Sequence, residues 1–192
     1  MKTILLSAAC FMLLSCSGSD ENNDVNNPGN GAVSNTLHLS FKTPDWEQFI
    51  NCEQLDLEGY SVSETANVVS ATSASTKESF YFSIPKDSSA MVESGNLKKY
   101  AITEYGDNTN PFEFSQKLPI TQGSATYLIS STGFDKNNYN EVTNIEYIGY
   151  EGNNALFKVK CRYAMQAYEL GNSQNIKPIT GTFHFKVRTS RN

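Results

Sequence analysis

The amino-acid sequence predicts an all-β protein: an antiparallel β-sandwich or closed barrel of about seven or eight strands, with one short helix near residues 44–51. Three observations carry that prediction. Apolar and polar residues alternate with a period of two in segment after segment, the spacing of half-buried strands. Clusters of Gly, Asn, Asp and Ser punctuate those segments. Strands and helices do not alternate along the chain as they would in a parallel sheet.

The elements follow in order. Leu37, Leu39 and Phe41 share one face of the first strand, with His38 and Ser40 on the other. Thr43 stands where it would cap a helix, with Pro44 at the first helical position, where proline is favoured. Trp46, Phe49 and Ile50 then fall on one helical face, and Cys52 lies just beyond. Phe80, Phe82 and Ile84 form the inner face of a strand that stops at Pro85. Phe112, Phe114, Leu118 and Ile120 repeat the pattern, with Glu113, Ser115 and Lys117 opposite, and Tyr127 and Ile129 mark a further strand. Residues 142–150 lead into Glu151-Gly152-Asn153-Asn154, a turn by composition. Phe157, Val159, Cys161, Tyr163 and Met165 then share one face, with Lys158, Lys160 and Arg162 on the other. The last strand sets Phe183, Phe185 and Val187 against His184, Lys186 and Arg188.

The N-terminus reads differently. Lys2 precedes an apolar run over residues 4–14, about 16 Å long as a helix. A bilayer core needs about 20 residues, so the run reads as a secretory segment that is removed. Leu13-Leu14-Ser15-Cys16 resembles the lipobox of bacterial lipoproteins. That resemblance implies a signal peptide over residues 1–15 and acyl chains on Cys16 as the membrane anchor. Residues 16–35 form a tether rich in Asn, Ser, Gly and Asp, too polar to build a core. Its cluster Ser17-Gly18-Ser19-Asp20-Glu21 with Asp24 resembles the export tag of surface lipoproteins in Bacteroidota, which implies display on the outer membrane. Residues 36–192 form a single β-rich domain. Within it, Ile179-Thr180-Gly181-Thr182-Phe183-His184-Phe185-Lys186-Val187 resembles the closing strand of small Bacteroidota lipoprotein domains of unknown function. The resemblance implies a compact β domain on a lipid tether and transfers no catalytic residues.

Two cysteines remain after Cys10 leaves and Cys16 is acylated. In an exported chain Cys52 and Cys161 read either as one disulfide or as two separate buried thiols, and sequence leaves both open.

The chain carries 20 acidic and 15 basic side chains, net −5. The imbalance is uneven. Residues 152–192 hold seven basic residues and one acid, Glu169, whereas residues 16–151 hold seven basic and nineteen acidic ones. A chain acidic over most of its length repels phosphates, so nucleic acid is not an expected partner. The basic residues fall on strand faces, and Lys158, Lys160, Arg162, His184, Lys186 and Arg188 are the candidate patch for an anionic ligand such as an acidic polysaccharide, or for a surface protein. Two blander explanations compete: lysines that discourage edge pairing, and pairing with the acidic stretch over residues 53–64.

Other candidates are weaker. His38 and His184 fall on the first and last strands, which often pair. They lack the third ligand that zinc requires and are expected to face solvent. Residues 135–141 are rich in oxygen ligands but lack the Gly and the final acid of a calcium loop. Tyr60, Tyr81, Tyr105, Tyr139 and Tyr150 would suit sugar stacking if they formed an exposed row. No nucleophile elbow, zinc-protease motif or phosphate loop is present, and acids such as Glu53, Asp56, Glu58 and Glu64 need a measured separation before they make a glycosidase pair. No enzyme activity and no cofactor are expected. The sequence therefore favours a non-catalytic binding or adhesion domain, accessory to glycan capture. A lipocalin-like carrier of a small apolar ligand is the alternative, and an enzyme without a recognisable motif the third reading.

Overall fold

Uninterrupted alternation builds the longest strands. In the computed structural model, which describes residues 33–191, β9 (Tyr139–Glu151), β10 (Asn154–Glu169) and β11 (Asn172–Ser190) form an antiparallel meander. The signal peptide, Cys16 and the tether up to residue 32 lie outside the described residues. Gly152 (φ 57°) and Gly171 (φ 90°) turn the chain between these strands, in a backbone region that L side chains rarely adopt.

The other strands are shorter. They are β1 (His38–Lys42), β2 (Glu47–Asn51), β3 (Tyr60–Ser61), β4 (Ala66–Thr72), β5 (Ser79–Pro85), β6 (Lys99–Tyr100), β7 (Phe114–Pro119) and β8 (Tyr127–Ser130). Every strand pairing is antiparallel, in the order β2-β1-β11-β10-β8-β7-β5-β4-β3. β10 is long enough to serve two neighbours on one edge. Its first part pairs with β9, and its last residues, from Ala167 to Glu169, pair with β8. There the sheet folds back over itself. Rings from the two layers meet across the core: Phe80 on β5 stacks on Phe185 of β11 at 4.6 Å, and Phe114 on β7 contacts Phe183 of β11 at 4.9 Å and Tyr163 of β10 at 4.7 Å. The result is an all-β sandwich with an open sheet, whose path ends at β2 and β3 without closing.

Two expectations are corrected. The sheet has eleven strands, because pairs as short as β3 and β6 carry no readable period. The helix near residues 44–51 is absent, and residues 47–51 form β2, paired with β1 from Lys42↔Glu47 to His38↔Asn51. Thr43 Oγ1 does accept from the amides of Asp45 and Trp46, both at 3.1 Å, as a capping side chain would. The same bonds close a hairpin loop, locked by Thr43 N donating to Trp46 O at 2.9 Å. Trp46 and Ile50 pack on the core, while Phe49 points outward against the ring of His38 at 4.9 Å. The one α-helical turn among the described residues, Ser88–Met91, lies elsewhere and buries Met91.

Gly181 fixes the approach of β1 to β11. A Cβ there would lie 2.1 Å from Ser40 O and 2.5 Å from the Tyr163 ring, so the space is already filled by its neighbours.

Candidate functional site

The cationic residues are brought together. In the β10–β11 register Lys158 stands opposite Lys186, and Lys160 opposite His184. Their side chains lie on the outer face, because Phe157, Val159, Cys161, Phe183, Phe185 and Val187 fill the inner one. The six candidates then divide. Arg162 donates from Nε and Nη2 to both oxygens of Glu141, at 2.9 and 3.0 Å. Arg188 is held by Asp56 at 2.8 Å and Glu151 at 3.0 Å, so the expected pairing with the acidic stretch occurs at this one residue. Lys160 Nζ donates to the neutral Asn35 side chain. Lys158 and Lys186 form no ion pair among the described residues, although Glu146 stands opposite Lys158 in register on β9.

His38 and His184 do face each other across the β1–β11 ladder. They are not solvent-facing: both are buried, at 1% and 3% exposure. Thr36 O accepts from Nδ1 of His38 at 2.9 Å and from Nδ1 of His184 at 3.2 Å, which puts the proton of each neutral ring on Nδ1. His38 Nε2 accepts from Thr182 Oγ1 at 2.8 Å, and His184 Nε2 is buried with no partner among the described residues. Burial holds both imidazoles below the usual histidine range, and the charges of Lys160 and Lys158 add to the effect at His184. No group of three or more metal-ligating side chains occurs among the described residues.

The two cysteines do not meet. Both are free and buried. Three strand spacings, roughly 14 Å in the sheet, separate β2 from β10, whereas a disulfide needs Cα atoms within about 7 Å. Cys161 Sγ instead lies 3.8 Å from Asn140 Nδ2, and Cys52 Sγ 3.5 Å from Ile50 O. The tyrosines do not form one row either. Tyr81 packs edge-on against Tyr105 at 5.0 Å, Tyr139 sits under Lys99 at 3.7 Å, and Tyr150 pairs with Tyr147 at 5.3 Å beside Arg191. In the 135–141 loop Asp135 Oδ1 accepts from the amides of Asn137 and Asn138, an Asn-rich turn closed on itself.

A second site was missed by sequence reasoning. A cavity of about 270 Å³ opens between the end of β2 and the β4–β5 turn. Leu39, Ile50, Leu55 and Phe80 form apolar walls, and Cys52 and Glu78 also line it. Glu78 is 2% exposed. Its Oε1 accepts from Gln116 Nε2 at 3.2 Å, and the Gln116 Oε1 lies 3.0 Å from the Tyr163 hydroxyl, which in turn lies 3.1 Å from Ser40 O. Burial, opposed only by the Gln116 bond, pushes the Glu78 carboxyl up to about 8. Burial and then the Glu78 charge push the Cys52 thiol up to about 11. The signal was in the sequence: Glu78 precedes Phe80, Phe82 and Ile84 at the same period of two, so it had to share their inward face.

Comparison with protein-family models, with curated proteins and with solved structures finds no match.

Proposed function

We propose that this chain is a lipoprotein held in the outer membrane by acyl chains on Cys16 and displayed at the cell surface. Its β domain would be a non-catalytic binding or adhesion module for an acidic polysaccharide. One observation carries the ligand assignment: Lys158, Lys160 and Lys186 stand side by side on β10 and β11 with no carboxylate ion-paired to them among the described residues. Lysines that guard against edge pairing belong on edge strands. Lys158 and Lys160 lie on β10 between β9 and β11, so that explanation does not reach them. β1 covers β11 only up to His184, so the explanation reaches Lys186 alone. Like charges directly opposite each other weaken a sheet, so the Lys158–Lys186 pair does not serve the fold. An anion lying across the two strands relieves it. Lysine stems lie along the sheet while their ammonium heads reach solvent. Neighbouring heads root about 5 Å apart across strands and about 7 Å apart along them, which suits a polymer with repeated charges.

Retention of the full-length chain on immobilised carboxylated and sulfated polysaccharides, against neutral dextran, tests the ligand. The expected result is retention on the acidic matrices that is released by salt, and its loss in Lys158→Glu/Lys186→Glu. Equal retention of that variant would sink the patch reading. Protease shaving of intact cells tests the display. Loss of the domain supports it, and protection until lysis removes it.

A second reading, a carrier of a small ligand, draws support from the Glu78 cavity alone. The barrel lumen that a lipocalin-like carrier uses would need a closed sheet, and here the two layers are filled by phenylalanines.

A further inference from the structure

We propose that the cavity between β2 and the β4–β5 turn binds a small organic ammonium ion, a primary amine on a short hydrocarbon body, with Glu78 as its counter-ion. The inference stands apart from the cationic face, which lies on the other side of the sheet and attracts the opposite charge.

The geometry is that of a built site. Leu39, Ile50, Leu55, Ala71 and Phe80 supply apolar walls beside polar Asn51, Gln54, Thr72 and Ser73, and one carboxyl sits among them with a single hydrogen bond, from Gln116 to Oε1. Glu78 Oε2 has no partner among the described residues. No Lys, Arg or His pairs with Glu78 among the described residues. The titratable groups facing it are Cys52 from the end of β2, Tyr163 from β10 and Tyr105 from the loop before β7. All three are acids that are neutral at pH 7, and each is pushed upward partly by Glu78 itself. A buried carboxyl without a cation is expensive, and apolar replacement of buried charged groups is commonly neutral or stabilising. A ligand cation supplies the missing partner.

The chemistry separates the candidate ligands. A carboxylic acid would bring a second acid against Glu78 and keep both from ionising. An alcohol would exchange one neutral hydrogen bond for another, with little net gain. An ammonium group forms a charge-assisted bond to Oε2 in a site of low dielectric, the stronger class of contact. Its remaining protons need acceptors, and the polar side chains of Asn51, Gln54, Thr72 and Ser73 also line the cavity. The volume of about 270 Å³ is close to nine water-sized groups, just under the usual range for ligand pockets. That suits a six-carbon amine. Because burial keeps Glu78 mostly protonated at pH 7, entry of an ammonium ion ionises the carboxyl and releases a proton to solvent.

Titration calorimetry on the full-length chain at pH 7, with n-hexylamine, hexan-1-ol and hexanoate in two buffers of different ionisation enthalpy, tests this. Hexylamine should bind at least about tenfold more tightly than the other two, with close to one proton released per ligand. Glu78→Gln keeps the shape and should weaken hexylamine about tenfold or more while leaving hexanol unchanged. Ala71→Leu, which adds three carbons at the cavity wall and leaves Glu78 in place, should abolish binding of all three. Lys158→Glu/Lys186→Glu should change none of them, so a failure here is distinct from a failure of the polysaccharide reading. No hexylamine binding, equal affinity for hexanol or hexanoate, or hexylamine binding unchanged in Glu78→Gln or Ala71→Leu would each overturn the proposal.

Discussion

The outer face of β10 and β11 and the cavity behind β1 handle charge in opposite ways. On the face, three half-buried lysines stand without a carboxylate partner among the described residues, on a side of the sheet that is open to water. In the cavity, one carboxyl surrounded by hydrocarbon gives up its charge and keeps its proton to about pH 8. The difference is solvent, not side-chain type: a charge that can be hydrated waits for a partner at little cost, and one that cannot is neutralised until a partner arrives. Between them stands Ser40. Its carbonyl takes the Tyr163 hydroxyl at the end of the inner chain from Glu78. Its Oγ donates to Thr182 Oγ1 at 2.8 Å, which donates to His38 Nε2 on the outer side. One residue of β1 closes both networks.

The largest effect is expected where that partition is thinnest. Gly181→Ala would drive a methyl group into Ser40 O and the Tyr163 ring, and neither is a flexible tip. Overpacking of this severity should cost about 4 kcal/mol or more, visible as a collapse of the denaturant midpoint. An unfolding free energy within about 1 kcal/mol of the parent would mean that β1 and β11 can separate without loss, and that the two networks are not held by one wall.

Glu78→Gln tests the inner half. The folded carboxyl titrates near 8, against 4.5 for its unfolded reference. The folded state therefore binds more protons between those values, so its stability is complete below 4.5 and declines as pH rises through 8. The Gln variant lacks that decline. The two proteins should differ little in stability slope below pH 4.5, and by pH 9 the variant should have gained on the order of 5 kcal/mol over the parent in chemical denaturation. Parallel profiles from pH 5 to 9 would show that Glu78 is ionised in the fold.

These two sites were not equally legible in the sequence. The outer face could be read because β10 and β11 alternate without interruption, so Lys158, Lys160, Lys186 and His184 had to share one side. Burial of the two histidines could not, since it depends on Thr36, in the bend just before β1, and on Phe49 of β2. β2 was misread because a hairpin loop and a helix cap use the same Thr43 hydrogen bonds, and because Trp46 and Ile50 fall inward in either form. The cavity comes from β1, β2 and the β4–β5 turn, which no local pattern joins. Its one legible sign was positional: Glu78, Gln116 and Tyr163 all occupy inward positions of apolar strands.

The histidine pair sharpens the contrast with pH. Both imidazoles titrate below their usual 6.5, so the unfolded state binds more protons and stability is lost as pH falls through 6.5. That is the reverse of Glu78. A plot of stability against pH should therefore be a dome. His184→Gln should flatten its acid limb and leave its alkaline limb intact, whereas Glu78→Gln should do the opposite. An acid limb unchanged in His184→Gln would mean that the unpartnered Nε2 is hydrated and the ring is free to ionise.

The smallest effect on the fold is expected at the cations themselves, and its sign is what matters. Lys186→Glu places a carboxylate directly opposite Lys158 and converts a repulsive cross-strand pair into an attractive one. The domain should become more stable by about 0.5 kcal/mol, less in high salt. The same change should reduce retention on acidic polysaccharide. A fold that gains while binding falls identifies Lys186 as kept for a ligand and not for the sheet. If instead the substitution destabilised the domain and left retention alone, the lysine stem would be the part that counts, packed along β10 and β11 as hydrocarbon, and the contrast between a hydrated face waiting for its partner and a dry site neutralised without one would lose its outer half.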